Sequence, residues 1–440
     1  MRRRSVLLAA GTLTASLATP FSRAFVASPA APAPAPAPAP VLDHRVERDY
    51  DGRSYTDLSS ELGKVRGLSS GTVLATFRTT SRNLAMTLIS ASDATKPATD
   101  VTARVSAGRL QFSVRHDGVV KQNHLTRTMY DDGALHTVAI TVTDTGTTFH
   151  ADGRPVLTAS ASHFFDSAPG LTALDIARNL DSEHPGGEGF YTGTIARVAV
   201  YDRALSEQEI AAESVRVDLA DLGRISAILN SDTPAVWLTT GDSITHGALW
   251  TNGWRSYAEH FQERVRWELG KPKNSDFVID TGVSGSTTKD LLAKFTERVS
   301  VFRPKVVSIM LGTNDAATAS TGPAVYRANL RSLVNDVRAL PGGAIPLLQT
   351  PNPVDVNRWP NRAALADYAR IMREVAAELE VVLIDHHAHW LASNGGTVPL
   401  GLLADGLHPD QRGHLLLAKK MVRDLRVFDP ASRVCGLTIP

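Results

Sequence analysis

Four short segments in the second half of the chain decide its fold: they read GDSIT, GVSGSTT, GTND and DGLHP, at residues 241–245, 282–288, 312–315 and 405–409. Each lies where a loop follows an apolar run or precedes a helical pattern. The apolar runs predict strands at residues 235–239, 277–280, 306–311, 345–349 and 381–384. Helical patterns predict helices at residues 254–269, 289–298, 323–340, 362–379 and 411–425. This alternation predicts a three-layer α/β/α domain with a parallel sheet covered on both faces.

In such a domain the ligand site lies at the carboxyl ends of the strands, where the four segments carry reactive groups. Ser243 directly follows the first strand, and Asp405 and His408 lie in the loop before the last helix. Their three-residue spacing lets the carboxylate orient the imidazole, so that the ring can accept the serine proton. Taken alone, Ser243 is a common helix cap, and a lone histidine is commonly structural. Together the three residues indicate nucleophilic acyl transfer.

Acyl transfer also requires hydrogen-bond donors for the oxyanion. Gly285 lies in the loop after the second strand, where the missing side chain lets a backbone N–H approach a ligand. Asn314 follows the third strand and offers an uncharged amide donor, with an ordinary turn residue as the alternative. With the backbone N–H of Ser243, these predict three donors from three strand ends.

Residues 234–428 resemble the SGNH (GDSL-type) hydrolases, because all four blocks occur in the family's order and span the domain. The resemblance implies that Ser243 is the nucleophile, His408 the general base and acid, and Asp405 its orienting partner. It also implies that Ser243, Gly285 and Asn314 supply the oxyanion donors. The family needs no metal or other cofactor. Its members include lipases, acetylxylan esterases, rhamnogalacturonan acetylesterases and sialate O-acetylesterases, so the blocks predict the reaction but not the substrate.

The first half of the chain, residues 41–203, shows short alternating runs separated by turns. Runs at residues 72–77, 110–115, 136–142 and 195–201 predict strands, and Asp-Gly pairs at residues 117–118, 132–133 and 152–153 predict hairpin turns. This pattern predicts an antiparallel β-sandwich. A GLSSG segment at residues 67–71 matches a hydrolase nucleophile elbow, but that elbow needs a strand before it and a helix after it. Here a strand follows, so the match is rejected.

This half resembles the lectin-like, concanavalin-like jelly-roll domain at the N-terminus of bacterial and leech sialidases, through residues 67–93, 108–115 and 189–210. In that family the domain binds sialic acid through arginines. Arg115 and Arg178 match those arginines, and Tyr191 is a further candidate for glycan binding. Ser113 stands where the family often has Glu, which removes a hydrogen-bonding partner for the ligand. The alternative is a sandwich that only spaces or stabilises the enzyme.

Outside these two domains the sequence indicates export. Residues 1–27 read as an export signal, with arginines at residues 2–4, an apolar stretch too short to span a bilayer, and a small-x-small cleavage site at residues 22–24. Both the Sec and the twin-arginine routes fit. The Ala/Pro-rich composition of residues 28–40 predicts a linker. Residues 204–233 are predicted to form a helical connector, with Ser206 and Glu209 in a capping box, and residues 429–440 a C-terminal tail.

The balance of charged residues limits the classes of partner that the protein is expected to bind. With Lys+Arg 46 against Asp+Glu 45, the formal charge of +1 argues against nucleic-acid binding.

The histidines of an HHAH segment, His386, His387 and His389, are candidate ligands for a transition metal, but no carboxylate or thiol pattern completes a closed site. Asp315 reads as a turn residue or helix cap. Tryptophans are expected in the core or in cleft walls, at residues 250, 254, 359 and 390.

We therefore expect a secreted serine esterase that removes short acyl groups, acetyl above all, from carbohydrate. O-acetylated sialic acid is the candidate substrate if the sandwich binds sialic acid. The first alternative is a broad-specificity short-chain esterase or lipase with a purely structural sandwich. The second is a non-catalytic glycan-binding protein. The sequence does not predict an oligomeric state.

Overall fold

The computed structural model describes residues 39–247 and 249–439. The predicted export signal lies outside these residues, as does the predicted linker apart from residues 39–40. No helix in the described part of the chain combines the length and apolar character that crossing a membrane requires.

The first half of the chain is an antiparallel β-sandwich. One sheet has the strand order β1-β13-β4-β9-β10-β11, with β2 also paired to β13, and the other has the order β3-β12-β5-β6-β7-β8. The inward side chains of both sheets form one apolar core. The strands are β1 (Leu42–His44), β2 (Arg48–Asp51), β3 (Thr56–Asp57), β4 (Gly71–Arg78), β5 (Met86–Ser92), β6 (Asp100–Ser106), β7 (Arg109–His116), β8 (Val119–Met129), β9 (His136–Val142), β10 (Thr147–Ala151), β11 (Arg154–Ala159), β12 (Ala173–Ile176) and β13 (Thr192–Tyr201).

Two of the three predicted Asp-Gly turns are tight hairpins. Residues 117–118, between β7 and β8, and residues 152–153, between β10 and β11, all have positive φ, as a two-residue turn that matches strand twist requires. The prediction was wrong for the third pair, residues 132–133. It lies in the connection from β8 to β9, which crosses from one sheet to the other. Because β8 and β9 belong to different sheets, they do not pair with each other, and the connection between them is not a hairpin.

The connector between the two halves consists of two helices where the sequence predicted continuous helix. Helix α1 (Glu207–Glu213) begins with the predicted capping box of Ser206 and Glu209, and α2 is Ala220–Asn230. The segment between them is held by the sandwich: the N–H of Val215 donates to Thr137 (3.1 Å) and that of Asp218 to the carbonyl of Asp152 (3.0 Å). Because these donors bond to the sandwich, the helix is interrupted there.

The second half contains a five-stranded parallel sheet in the order β15-β14-β16-β17-β18. Apolar cores lie on both of its faces, which confirms the predicted α/β/α architecture. The strands are β14 (Val236–Gly241), β15 (Phe277–Asp280), β16 (Val306–Met310), β17 (Ile345–Gln349) and β18 (Val382–Ile384). The helices are α3 (Ser243–His246), α4 (Tyr257–Glu263), α5 (Thr288–Ala293), α6 (Phe295–Arg298), α7 (Pro323–Arg338), α8 (Leu365–Glu378), α9 (His386–Ser393), α10 (Gln411–Asp424) and α11 (Arg433–Gly436).

The two halves pack together within one compact unit. Helix α2 contacts β8 and β11 of the sandwich and also β17 of the parallel sheet. Arg127 on β8 donates to the carbonyls of Asn230 (2.6 Å) and Leu269 (3.2 Å) and to the carboxylate of Asp232 (2.7 Å). From the other side, Arg426 pairs with Asp152 of the sandwich at 3.0 Å. Arginines of both domains therefore bond across the contact between the sandwich and the α/β domain.

Candidate active site

Ser243 is presented by a tight junction between β14 and α3. A side chain at Gly241 would lie 2.2 Å from Thr245 Oγ1 and 2.4 Å from the carbonyl oxygen of Met310, so the strand can end there only with glycine. The carboxylate of Asp242 accepts the backbone N–H of Ile244 (2.9 Å) and caps α3. Ser243 is the first residue of that helix, at the carboxyl edge of the sheet.

The structure brings Ser243 together with the predicted His408 and Asp405. Ser243 Oγ lies 2.9 Å from His408 Nε2, and His408 Nδ1 lies 2.8 Å from an oxygen of Asp405. The other carboxylate oxygen accepts the backbone N–H groups of Leu407 (2.9 Å) and His408 (2.8 Å). Because the carboxylate accepts the proton on Nδ1, Nε2 is left as the acceptor for the serine hydroxyl.

The electrostatics of the pair suit proton transfer from serine. Burial lowers the pKa of His408 below its ordinary value, although the hydrogen bond to Asp405 acts in the opposite direction. Burial acts to raise the pKa of Asp405, but its hydrogen bonds, first from the backbone of His408, hold that pKa below the ordinary value. At neutral pH the imidazole is therefore uncharged and the carboxylate ionised.

The three predicted oxyanion donors, the N–H groups of Ser243 and Gly285 and the amide of Asn314, have the following surroundings. Gly285 has φ 82° and open space where a side chain would stand. Within the described residues, neither the N–H of Gly285 nor that of Ser243 donates a hydrogen bond. The amide nitrogen of Asn314 donates to the carbonyl of Ser286 (3.2 Å) and lies 3.5 Å from a carboxylate oxygen of Asp242.

Two buried residues hold these loops: Arg298, which the sequence analysis did not single out, and Asp315, which it read as a turn residue or helix cap. Arg298 donates to the carbonyls of Gly241 (2.7 Å) and Thr281 (3.1 Å) and to the hydroxyl of Ser286 (3.0 Å), and so joins the nucleophile strand to the loop of Gly285. Asp315 accepts the N–H of Thr288 (3.0 Å) at the start of α5, and burial raises its pKa to about 6. No local pattern distinguishes Arg298 from a solvated charge, whereas Asp315 caps the start of α5 from a loop distant in the chain.

Two tryptophans lie against the catalytic loop. The ring of Trp250 stacks on the imidazole of His408, with centroids 3.4 Å apart and planes 7° apart. The indole N–H of Trp359 donates to the backbone carbonyl of Asp405 (3.1 Å). Trp390 is fully buried in the core, whereas Trp254 is 46% exposed. Trp250 therefore covers one face of the catalytic imidazole.

Comparisons with known proteins agree with this geometry. A family model described as the GDSL-like lipase/acylhydrolase family matches residues 239–416. An acetylxylan esterase of Geobacillus stearothermophilus is 32% identical over 210 residues, which cover 43% of this chain and 92% of that protein. The chain belongs to the GDSL-like lipase/acylhydrolase family. An uncharacterised lipoprotein of Bacillus subtilis is 28% identical over 40% of this chain and 80% of its own length.

The region before the GDSL-like domain matches a second family model, the concanavalin A-like lectin/glucanase superfamily, over residues 51–211. Among solved structures, the acetylxylan esterase of G. stearothermophilus covers 43% of this chain and 94% of its own, with 27% identity and a TM-score of 0.37. The match to the CBM40 module of a Ruminococcus gnavus sialidase, bound to α2,3-sialyllactose, covers 40% of this chain and 99% of that chain, with 22% identity and a TM-score of 0.36.

The predicted glycan-binding arginines, Arg115 and Arg178, both lie in the sandwich, outside the GDSL-like domain. Arg115 on β7 forms a two-point contact with the buried carboxylate of Asp100. Arg178, after β12, pairs with Asp175 (2.9 Å) and lies over the ring of Tyr55, 3.3 Å from its centroid. Both guanidinium groups therefore already have internal partners.

Tyr191 does not fit the prediction that it contacts a glycan. It is 0% exposed, its hydroxyl donates to the carbonyl of Arg78 (3.1 Å), and its ring packs edge-on against Tyr50 and Phe77. A ring inside the sandwich core cannot reach a sugar on the surface.

The three histidines of residues 386–389 lie on α9. His386 is buried and its ring bonds to Gln349 (2.7 Å), and burial lowers its pKa to about 3. Among the described residues, the side chains spaced to hold a metal ion are instead Asp181, His184 and Glu188 of the sandwich. The HHAH segment therefore has a structural role in packing α9 on the sheet.

Proposed function

We propose that this protein is a serine esterase whose nucleophile is Ser243. The observation that supports it is the continuous hydrogen-bonded chain from Ser243 through His408 to Asp405, at 2.9 and 2.8 Å. The backbone N–H groups of Ser243 and Gly285, which donate no hydrogen bond among the described residues, are the proposed donors to the oxyanion, the second requirement of ester hydrolysis.

In the proposed reaction, Ser243 Oγ attacks the ester carbonyl carbon while His408 Nε2 takes the hydroxyl proton. The negative charge that develops on the carbonyl oxygen is stabilised by the backbone N–H groups of Ser243 and Gly285 and by the amide of Asn314. The C–O bond to the alcohol then breaks, and His408 returns its proton to the leaving oxygen. Water, deprotonated by the same imidazole, hydrolyses the acyl–Ser243 ester and restores the free enzyme.

The proposed substrate is a carbohydrate that carries short acyl groups, acetyl above all. Support comes from the identity with an acetylxylan esterase and from the match of the N-terminal region to a lectin superfamily. O-acetylated sialic acid is the specific candidate, on the grounds of Arg115 and Arg178. A broad-specificity short-chain esterase with a structural sandwich is the second candidate, favoured by the internal carboxylate partners of both arginines.

Acetate release tests the proposal. Wild type and Ser243→Ala are assayed on O-acetylated sialoglycan, acetylated xylan and p-nitrophenyl acetate. We expect turnover by wild type and a loss of about 10³-fold or more in Ser243→Ala, whose unfolding temperature stays that of wild type. Equal activity of the two proteins would refute the role of Ser243. Release from xylan but not from sialoglycan would refute the sialate assignment alone.

Sugar binding by the sandwich is a separate proposal with its own test. Calorimetry with sialyllactose, on the catalytically inactive Ser243→Ala protein, measures binding without turnover. We expect Arg115→Ala to weaken it by at least about tenfold, because a guanidinium–carboxylate pair contributes on the order of 1.5–3 kcal/mol. Arg53→Ala, on the exposed surface of the same sandwich, is the matched control. No heat with wild type would refute sialic-acid binding.

We also propose that the protein is exported, on the strength of residues 1–27. Replacement of Arg3 and Arg4 by lysine separates the two routes, because the Sec machinery accepts lysine and the twin-arginine machinery requires arginine. Loss of the extracellular protein in the lysine variant supports the twin-arginine route, and unchanged secretion the Sec route. Retention of the wild-type protein inside the cell contradicts export.

A further inference from the structure

The segment of residues 352–362, between β17 and α8, touches both halves of the catalytic machinery. The amide of Asn352 donates to the carbonyl of Leu407 (3.1 Å), and the N–H of Asp355 donates to the carbonyl of Gly406 (2.7 Å). Trp359 bonds to the carbonyl of Asp405. Three residues of the segment therefore bond to the carbonyl groups of three consecutive residues in the loop that carries Asp405 and His408.

At its end, the same segment reaches the oxyanion donor. Arg362 donates from Nη2 to Oδ1 of Asn314 (3.0 Å), across 48 residues of chain. A carboxamide can present either its oxygen or its nitrogen to a given side, and the two orientations have nearly the same shape. A guanidinium can only donate, so it binds the oxygen end and directs the nitrogen end of Asn314 away from itself, towards Ser286 and Asp242.

We propose that Arg362 is a positioning residue of the oxyanion hole: it fixes the Asn314 amide in the one orientation in which that residue donates to the substrate oxygen. The inference rests on the proposed esterase function. Without Arg362 only the carbonyl of Ser286 (3.2 Å) and the more distant carboxylate of Asp242 (3.5 Å) hold the amide, so the flipped orientation becomes more populated. An amide oxygen that faces a developing oxyanion repels it.

The charge of Arg362 is uncommitted, which fits this role. Its guanidinium forms no salt bridge with a described carboxylate within 4.0 Å, and its buried Nε has no hydrogen-bond partner among the described residues. It lies over the face of Trp359, 5.6 Å from the ring centroid. A cation placed behind an oxyanion donor strengthens that donor as negative charge develops. Its field also contributes to the lowered pKa of His408.

A double-mutant cycle tests the proposal with p-nitrophenyl acetate, a neutral substrate too small to need other contacts. Wild type, Arg362→Met, Asn314→Ala and the double variant are compared by kcat and KM. We expect Arg362→Met to lower kcat by about 10- to 100-fold with KM little changed, since removing an oxyanion donor outright costs about 10²–10³-fold. In the Asn314→Ala background we expect the same replacement to change kcat by less than about threefold.

Three controls keep the cycle interpretable. Arg370→Met, on the exposed face of α8, removes the same charge and should retain wild-type kcat. Arg362→Lys keeps a cationic donor and should recover part of the loss even if the methionine variant folds poorly. In Arg362→Met the acid limb of the kcat profile should move to higher pH, because the charge that lowers the pKa of His408 is gone.

The outcomes separate the two proposals. If wild type is no more active than Ser243→Ala, the esterase function itself fails. If wild type is active but Arg362→Met lowers kcat by the full factor in both backgrounds, Arg362 does not act through Asn314 and the inference is overturned. The same holds if only KM rises, and rises chiefly for acidic sugar esters, because Arg362 then binds the substrate carboxylate.

Discussion

At the scale of single residues, the proposed esterase activity depends on the protonation state of the His408 imidazole. His408 acts as a base only when it is neutral, and burial lowers its pKa below the ordinary value of about 6.5. Activity should therefore be complete above pH 6.5 and fall as the pH drops through the lowered pKa.

Asp405→Asn makes this dependence testable. The hydrogen bond that His408 donates to Asp405 raises the pKa of His408, so the variant should move the acid limb of the kcat profile to lower pH. Since an amide no longer holds the ring in the right tautomer, kcat should fall by about 10²–10⁴-fold. The measurement is a pH–rate profile from pH 4 to 8. An acid limb that shifts upward would contradict the assigned roles.

Trp250 provides a second prediction at this scale. Its ring stacks on His408 at 3.4 Å and restricts the positions that the imidazole can take. We expect Trp250→Ala to lower kcat by about three- to tenfold, in line with the ~0.5–1.5 kcal/mol of an aromatic pair. Trp250→Phe keeps a ring and should lose less. Equal losses in the two variants would show that stacking is not what matters.

At the scale of elements, the site depends on how β14 meets α3. A Cβ at Gly241 would lie 2.2 Å from Thr245 Oγ1 and 2.4 Å from the Met310 carbonyl. Gly241→Ala should therefore destabilise the protein by about 1–3 kcal/mol. It should also lower kcat, since Ser243 must shift. Gly401→Ala is the control, because no atom lies within 4 Å of the added carbon. Urea unfolding of both variants measures the difference, and equal stabilities would refute the clash.

The contact between α5 and Asp315, in the loop of Asn314, should make the free energy of unfolding depend on pH. Burial raises the pKa of Asp315 to about 6, from the ordinary 3.8. A raised pKa stabilises the folded state fully below the unfolded value and loses that contribution as the pH rises to about 6. Asp315→Asn should therefore flatten the decline of unfolding free energy between pH 4 and 6. Parallel curves for variant and wild type would contradict this.

At the scale of the whole molecule, the sandwich and the GDSL-like domain behave as one body. Arg127 of the sandwich bonds to the backbone of Asn230 and Leu269 and to Asp232. We expect a single calorimetric unfolding transition for wild type. Arg127→Met should lower the unfolding free energy by about 1–3 kcal/mol or divide the transition in two, since it leaves carbonyl groups without donors. Arg53→Met, on the exposed surface, is the control. An unchanged transition in Arg127→Met would show that Arg127 does not couple the domains, and two transitions in wild type would show that the domains are stable independently.

The sequence by itself determined those features that depend only on residues close together in the chain. Alternation of strands and helices, Asp-Gly turns and the capping box of Ser206 depend on neighbours along the chain. The position of Ser243 after the first strand, the three-residue spacing of Asp405 and His408 and the resemblance to a known family were enough to predict that these three residues act together. The tight hairpins and all five strands of the parallel sheet follow from the same local chemistry.

Only the tertiary structure decided which distant groups meet. The break between α1 and α2, the burial of Tyr191 and the stacking of Trp250 on His408 depend on how whole elements pack. The bond from Arg362 to Asn314 spans 48 residues, and no spacing rule connects them. Because a side chain's partner is set by packing in three dimensions and not by its place in the chain, these contacts had no signal in the sequence.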